Sequence, residues 1–223
     1  MQRIAYVWGI WIAAILMAGS SSEASLILYA DKTDFLSDTG ATSATGALPN
    51  IGPVAPGFTV GSVSFTTLSG QFFIGTPPND WTSLIPGPDI AISGAESFRA
   101  DLAGPVFSLG FDFNEPTFSG GFPDGCHAPC FDSTFQVTLL SGGVAIPGAS
   151  FLYNAPDAVL AFVGVWTDFS FDGVEILDVT NTIDDEFWGE FYTGDSPNVA
   201  EPGSLLLLGS GLLAAALGRR RKR

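Results

Sequence analysis

Cys126 and Cys130 flank the chain's single histidine in the run Cys-His-Ala-Pro-Cys. Two sulfurs and the His127 imidazole are zinc ligand types, but three ligands fall one short of a closed tetrahedral site, and an oxidising compartment removes the thiolates. There, a local disulfide across the Gly- and Pro-rich loop from Asn114 to Asp132 is expected instead. The spacing is not that of haem attachment, which needs two intervening residues and a following His. Any Ser-His-Asp or Cys-His machinery must be built on His127, and no Gly-x-Ser-x-Gly elbow accompanies it. Nor do the glycines follow a phosphate-cradling GxGxxG or GxxxxGK spacing.

Carboxylates are the abundant chemistry. The loop acids Asp112, Glu115, Asp124 and Asp132, and the cluster Asp184, Asp185 and Glu186 with Glu190, are candidate calcium ligands, because hard oxygens with no protein counter-charge suit a divalent cation. No EF-hand pattern is present. So many acids also produce glycosidase-like pairs by chance, and none stands in a motif that would raise its pKa. The aromatics that could stack on sugar rings are Trp81, Trp166, Trp188 and the candidate exposed tyrosines Tyr153 and Tyr192, and Trp81, in the Pro-rich run PPNDWTSLIPGP, is the favoured one. Trp166 ends an apolar run and reads as core, as do most of the 19 Phe.

Charge is unevenly spread over the 223 residues. Six of the eight basic residues lie at the ends, at Arg3 and from Arg219 to Arg223. From Leu26 to Val199 only Lys32 and Arg99 face 21 acids, the 23 of the chain less Glu23 and Glu201, so that stretch carries −19. Such a field repels phosphate backbones and draws in cations. Nucleic acid is excluded as a partner of this stretch.

The two ends read as addresses. Arg3 precedes an uncharged apolar run from Ile4 to Ala18 and then small polar residues, the layout of a secretory signal read by the Sec export machinery. Small residues at Ser22 and Ala24 favour a cut before Ser25, with an earlier site at Ala18-Gly19-Ser20. At the other end, fifteen uncharged residues from Ser204 to Gly218 precede five basic ones. At about 1.5 Å per residue they reach roughly 22 Å as a helix, a marginal span of a core about 30 Å thick. Basic residues resist translocation, so the acidic body is expected on the far side of the membrane from them.

This tail resembles the PEP-CTERM sorting signal. Glu201 and Pro202 match its box, Leu205 to Leu217 its short apolar helix, and Arg219, Arg220, Arg221, Lys222 and Arg223 its basic end. The box's first proline is Ala200 here. The resemblance implies recognition by a membrane-embedded exosortase of a Gram-negative bacterium. It further implies an inner-membrane intermediate and delivery to the cell surface or beyond.

The elements between the addresses are strands. Phe107, Leu109, Phe111 and Phe113 alternate with Ser108, Gly110 and Asp112; Phe135, Val137 and Leu139 alternate likewise; Phe58 to Val60 and Val63 to Phe65 flank Gly61-Ser62. Period two in Phe, Val and Thr predicts half-buried strands. Leu26 to Ala30, Gln71 to Ile74, Asp89 to Ile92, Glu96 to Asp101, Phe151 to Tyr153, Val159 to Trp166, Gly173 to Val179 and Glu186 to Tyr192 extend the set. With 27 Gly and 15 Pro, long helices are not expected. About ten short strands, each with one apolar face, predict an all-β, antiparallel two-sheet sandwich of jelly-roll-like topology. Val106 to Gly194 also resembles a sandwich domain common among exported proteins with this tail, through VFSLGFDFN, FQVTLLSGG, FVGVWTDFSFDGVEI and TIDDEFWGEFYTG.

The organisation expected is a signal helix at 1–24, a sandwich at 25–193, a linker at 194–200, and a sorting segment with a short apolar helix at 201–223. The function expected is non-enzymatic: a structural or adhesive surface protein in an exopolysaccharide or biofilm matrix. Two alternatives stand beside it, a calcium-assisted carbohydrate-binding module and a glycoside hydrolase.

Overall fold

The structure is a computed structural model that describes residues 25–76, 83–115, 133–180 and 186–197. The signal helix, the C-terminal apolar helix and the whole sorting segment lie outside these residues. Strand accounts for 63% of the described residues, which form one antiparallel β domain with one short helix, the β class expected. The elements in order are β1 (Leu26–Tyr29), α1 (Lys32–Thr39), β2 (Thr42–Ser43), β3 (Gly52–Val54), β4 (Gly57–Val60), β5 (Val63–Thr67), β6 (Gln71–Gly75), β7 (Asp89–Ser93), β8 (Phe98–Glu115), β9 (Phe135–Ser141), β10 (Val144–Tyr153), β11 (Val159–Asp178) and β12 (Phe187–Gly194). Among the described residues, no helix is long and apolar enough to cross a membrane.

The expected pair of separate sheets is corrected: the twelve strands join one hydrogen-bonded sheet, ordered β10-β9-β11-β8-β12-β7-β6-β3, with β1 on β11, β2 on β12, β5 on β8 and β4 on β5. The reason lies in the two long strands. Four of the runs read as separate strands are halves of β8 and β11, which pair with each other through most of their length. In β11, Ala161 pairs with Phe113 of β8, and Asp178 pairs with Phe135 of β9. Seventeen residues of straight strand would hold those partners about 56 Å apart at about 3.3 Å per residue. Their rings lie 5.7 Å apart. The long strands therefore double back on themselves.

The bend is where the register slips, between Trp166↔Ser108, Phe171↔Val106 and Gly173↔Asp101. Gly104 and Pro105 fall in that interval on β8, and proline has no N–H to give a ladder. A strand that bends at a bulge turns a corner without breaking the sheet. The main core fills the inside of the bend. Phe98, Phe113 and Phe135 all pack their rings on Trp188, at 5.1, 5.7 and 5.5 Å between centroids.

The other face of the sheet is covered locally by α1. Asp31 caps it, accepting the Asp34 N–H at 2.9 Å, and Gly40 ends it in the left-handed conformation at φ +65° with its N–H on the Leu36 carbonyl. At two turns it is too short to show helical periodicity, so the strand reading missed it. It rests on the sheet through Phe35, which is fully buried against Phe162. Directly beneath lies a cross-strand pair of glycines, Gly110 opposite Gly164. A Cβ on Gly164 would sit 2.8 Å from the Phe35 ring, and one on Gly110 would sit 2.5 Å from the Phe162 ring. The absence of side chains there is what lets the two rings lie on the sheet.

Candidate functional site

One polar cluster fastens α1 to the sheet. Lys32 Nζ donates to both oxygens of Asp112, at 3.1 and 2.8 Å, and to the Tyr192 hydroxyl at 2.5 Å, while lying 4.3 Å from the centre of the Tyr192 ring. The Tyr192 hydroxyl donates to Glu190 Oε2 at 2.7 Å, and Glu190 Oε1 accepts from Ser43. Burial foremost, then the hydrogen bond to Glu190 and the charge of Asp112, pushes the Tyr192 phenol well above its usual range. It stays protonated and keeps donating. Asp112 is thus the counter-charge of one of the two basic side chains among the described residues. Lys32→Met keeps the aliphatic stem and leaves Asp112 and Glu190 without their cation. Denaturant unfolding should then show about 1–2 kcal/mol less stability, with the loss shrinking at high salt. An unchanged midpoint would mean that Phe35 alone holds α1.

Of the four described carboxylates proposed as cation ligands, Asp112 and Glu190 meet at the Tyr192 hydroxyl, where Lys32 supplies the charge, and Glu115 and Glu186 are buried apart from them. Along β8, residues 111, 113 and 115 face the main core and 112 and 114 face away, because side chains alternate. Asp112 accordingly lies on the α1 side, while Glu115 is buried and accepts the Ser133 N–H at 2.6 Å. A register shift between Trp188 and Phe191 in β12 likewise separates Glu186 from Glu190. Asp124, Asp132, Asp184 and Asp185 lie outside the described residues. Among the described residues, no three His, Cys, Asp or Glu are placed to hold a metal ion.

Four carboxyl side chains are buried among the described residues, Asp89, Glu96, Glu115 and Glu186, and nothing local in the sequence marks their burial. Glu186 is wholly buried, and neither carboxyl oxygen has a hydrogen-bond partner among the described residues. Its backbone N–H instead reaches the buried Glu96 carboxylate, at 3.2 and 3.1 Å. Desolvation pushes the Glu186 carboxyl up to about 8. Asp89 rises to about 6 for the same reason, opposed by a hydrogen bond from Ser83.

The aromatic candidates also move. Trp188 is fully buried, Tyr192 is 7% exposed, and Trp166 is in the core as expected. The Tyr153 hydroxyl accepts from Trp188 Nε1 at 3.2 Å, which ties it to the interior. Trp81, Cys126, His127 and Cys130 lie outside the described residues, as do Glu201, Pro202 and Arg219 to Arg223. Aliphatic side chains, by contrast, are exposed together at one place among the described residues. An open cleft of about 550 Å³ runs between the ends of β1, β10 and β11, lined by uncharged residues that include Leu28, Leu152, Val159 and Leu160. These four are 44–62% exposed, an apolar concentration that soluble surfaces normally avoid. Alternation did not reveal it, because on an edge a period-two pattern does not say which face is covered.

Residues 198–222 match the family described as the PEP-CTERM protein-sorting motif. No curated protein matches the chain. Among solved structures, the chain is similar to the enzymatically active domain of tailspike protein 4 of bacteriophage CBA120, at 15% identity and a TM-score of 0.34, over 60% of this chain and 19% of that one. The chain thus spans about a fifth of that protein's length.

Proposed function

We propose that this chain, which carries a PEP-CTERM protein-sorting motif at its C-terminal end, is an exosortase substrate whose acidic β domain is displayed outside the cell as a structural or adhesive component of an extracellular polysaccharide matrix. The observation that carries the reading is the motif at residues 198–222, joined to a β domain that leaves an uncharged apolar cleft open to solvent. Residues 1–24 serve as the Sec-dependent signal. The apolar stretch from Ser204 to Gly218 holds the protein in the inner membrane of a Gram-negative cell, and Arg219 to Arg223 keep that end cytoplasmic. Cleavage near Glu201 and Pro202 releases the domain outward. Display requires no catalysis, cofactor or nucleic acid. A jelly-roll-like, corner-bent arrangement of strands suits a displayed domain.

A second reading, a calcium-assisted carbohydrate-binding module, is favoured by one feature: 16 acids face two basic side chains among the described residues. Calcium then bridges loop carboxylates, and Trp81 stacks on a sugar. Binding to neutral and acidic polysaccharides, measured with and without calcium, separates the two, since the adhesive reading needs no calcium dependence.

The primary test is the intact mass of the protein recovered from the cell surface. Loss of both residues 1–24 and the Arg219 to Arg223 cluster is expected. Surface protein that retains the basic cluster would replace sorting with simple anchoring.

A further inference from the structure

Both ends of the described domain meet at one corner of β11. Leu26 pairs with Thr167, and one step earlier the Ser25 backbone nitrogen donates to Asp168 Oδ1 at 3.1 Å. Two residues before Asp168 on β11, the Trp166 indole N–H donates to the Ser196 carbonyl at 3.4 Å. Thr167 between them is fully buried and hydrogen-bonded to the Phe107 carbonyl, so the platform is fixed. β1 itself is short. It has four residues and one partner strand among the described residues, and it leads straight into the Asp31 cap and Lys32 of α1.

We infer that Asp168 is the receptor for the new α-ammonium that appears when the chain is cut between Ala24 and Ser25, so that signal removal converts a hydrogen bond from a neutral amide into an ion pair that fastens β1. The inference rests on the export reading. The step is a hydrolysis by an export peptidase: water's hydroxyl goes to the Ala24 carbonyl carbon, its hydrogen goes to the Ser25 nitrogen, and that nitrogen takes one further proton from solvent. No electrons change hands. A charged donor at the same position makes a stronger hydrogen bond to a carboxylate than an amide does. The charge is also scarce here. The two other cations among the described residues are already paired, Lys32 with Asp112 and Arg99 with Asp101. Among the described residues, the charged side chain at the Ser25 nitrogen is Asp168, and Asp195 directly precedes Ser196 in the chain; both are acids, and acids favour the ammonium form. A cut several residues upstream would leave the Ser25 nitrogen an amide.

The test uses the processed, secreted chain, with its first residue read by mass spectrometry and its α-amine titrated by nitrogen NMR. Ser25 is expected as the first residue, with an α-amine pKa at least half a unit above the ordinary range of about 7.7–8.0. Asp168→Asn should return the value toward that range, and Asp168→Glu should restore part of the shift. Asp168→Asn should also lower the thermal midpoint about 1–2 °C more in this chain than in one that keeps Glu23-Ala24 ahead of Ser25. A Ser25 amine with an ordinary pKa, or an equal Asp168→Asn effect in both chains, overturns the clamp and leaves export intact. A first residue other than Ser25 does the same. Surface protein that still begins at Met1 overturns the export reading itself.

Discussion

Stability should fall as pH rises from about 5 to 8, and Glu186→Gln should flatten the fall. Glu186 is folded into a site where its carboxyl is raised to about 8 by loss of solvent, whereas the unfolded chain returns it to the ordinary range near 4.5. Between those values the folded state holds the proton and the unfolded state releases it, so each step upward in pH favours unfolding. One such group contributes a slope of up to about 1.4 kcal/mol per pH unit. Asp89 adds to it over a lower window, from its ordinary value to about 6. The sign is opposite to that of a salt-bridged carboxylate, whose stabilising effect is lost on acidification. Denaturant midpoints at pH 5, 6.5 and 8 check this, with Glu186→Gln expected to be more stable than the parent at pH 8 and nearly equal at pH 5. A parent profile that climbs steadily over this range would mean that Glu186 is charged and satisfied in the folded protein.

Gly164→Ala should cost about 1–3 kcal/mol, a large effect for a single methyl group, because it overpacks a filled site. The added carbon would come within 2.8 Å of Phe35 and 2.9 Å of Phe162, both buried rings with nowhere to swing. Shrinking the opposing ring should relieve the clash: Phe35→Leu combined with Gly164→Ala is expected to lose less than the sum of the two changes, as contacting residues couple. Strict additivity, measured by the double-mutant cycle in denaturant, would show that α1 does not press on that glycine pair.

These two sites differ in how far the sequence foretold them. Gly110 and Gly164 sit inside plainly alternating strands, and a glycine there announces a close approach without naming what approaches. Phe35 lies in an eight-residue helix with too few turns to show a period, so its partner was invisible. In the sequence Glu186 stands with Asp184, Asp185 and Glu190 as a candidate calcium ligand. Its burial comes from the bulged pairing of β12 with β8, which turns residues 186 and 190 to different sides. The calcium ligand set was drawn from sequence proximity, and alternation on β8 places Asp112 and Glu115 on opposite faces. In the same way, Tyr192 read as an exposed sugar platform, yet Lys32, 160 residues away in the chain, lies across its ring.

The residues alone determined what depends on local pattern: the β class from period-two apolar runs, most strand positions, the acidic body between basic ends, and the sorting tail from its linear order of box, apolar run and arginines. Only the tertiary structure decided that Glu96 to Asp101 and Phe107 to Phe113 belong to one strand, since Gly104-Pro105 reads as a break until a bent partner strand is seen to run past it. It alone decided which acids are buried, where the apolar cleft opens, and that Ser25 and Ser196 leave the domain at the same corner. Each of these is fixed by strand pairing between residues far apart in the chain, and hydrophobic periodicity carries no record of which strand lies next to which.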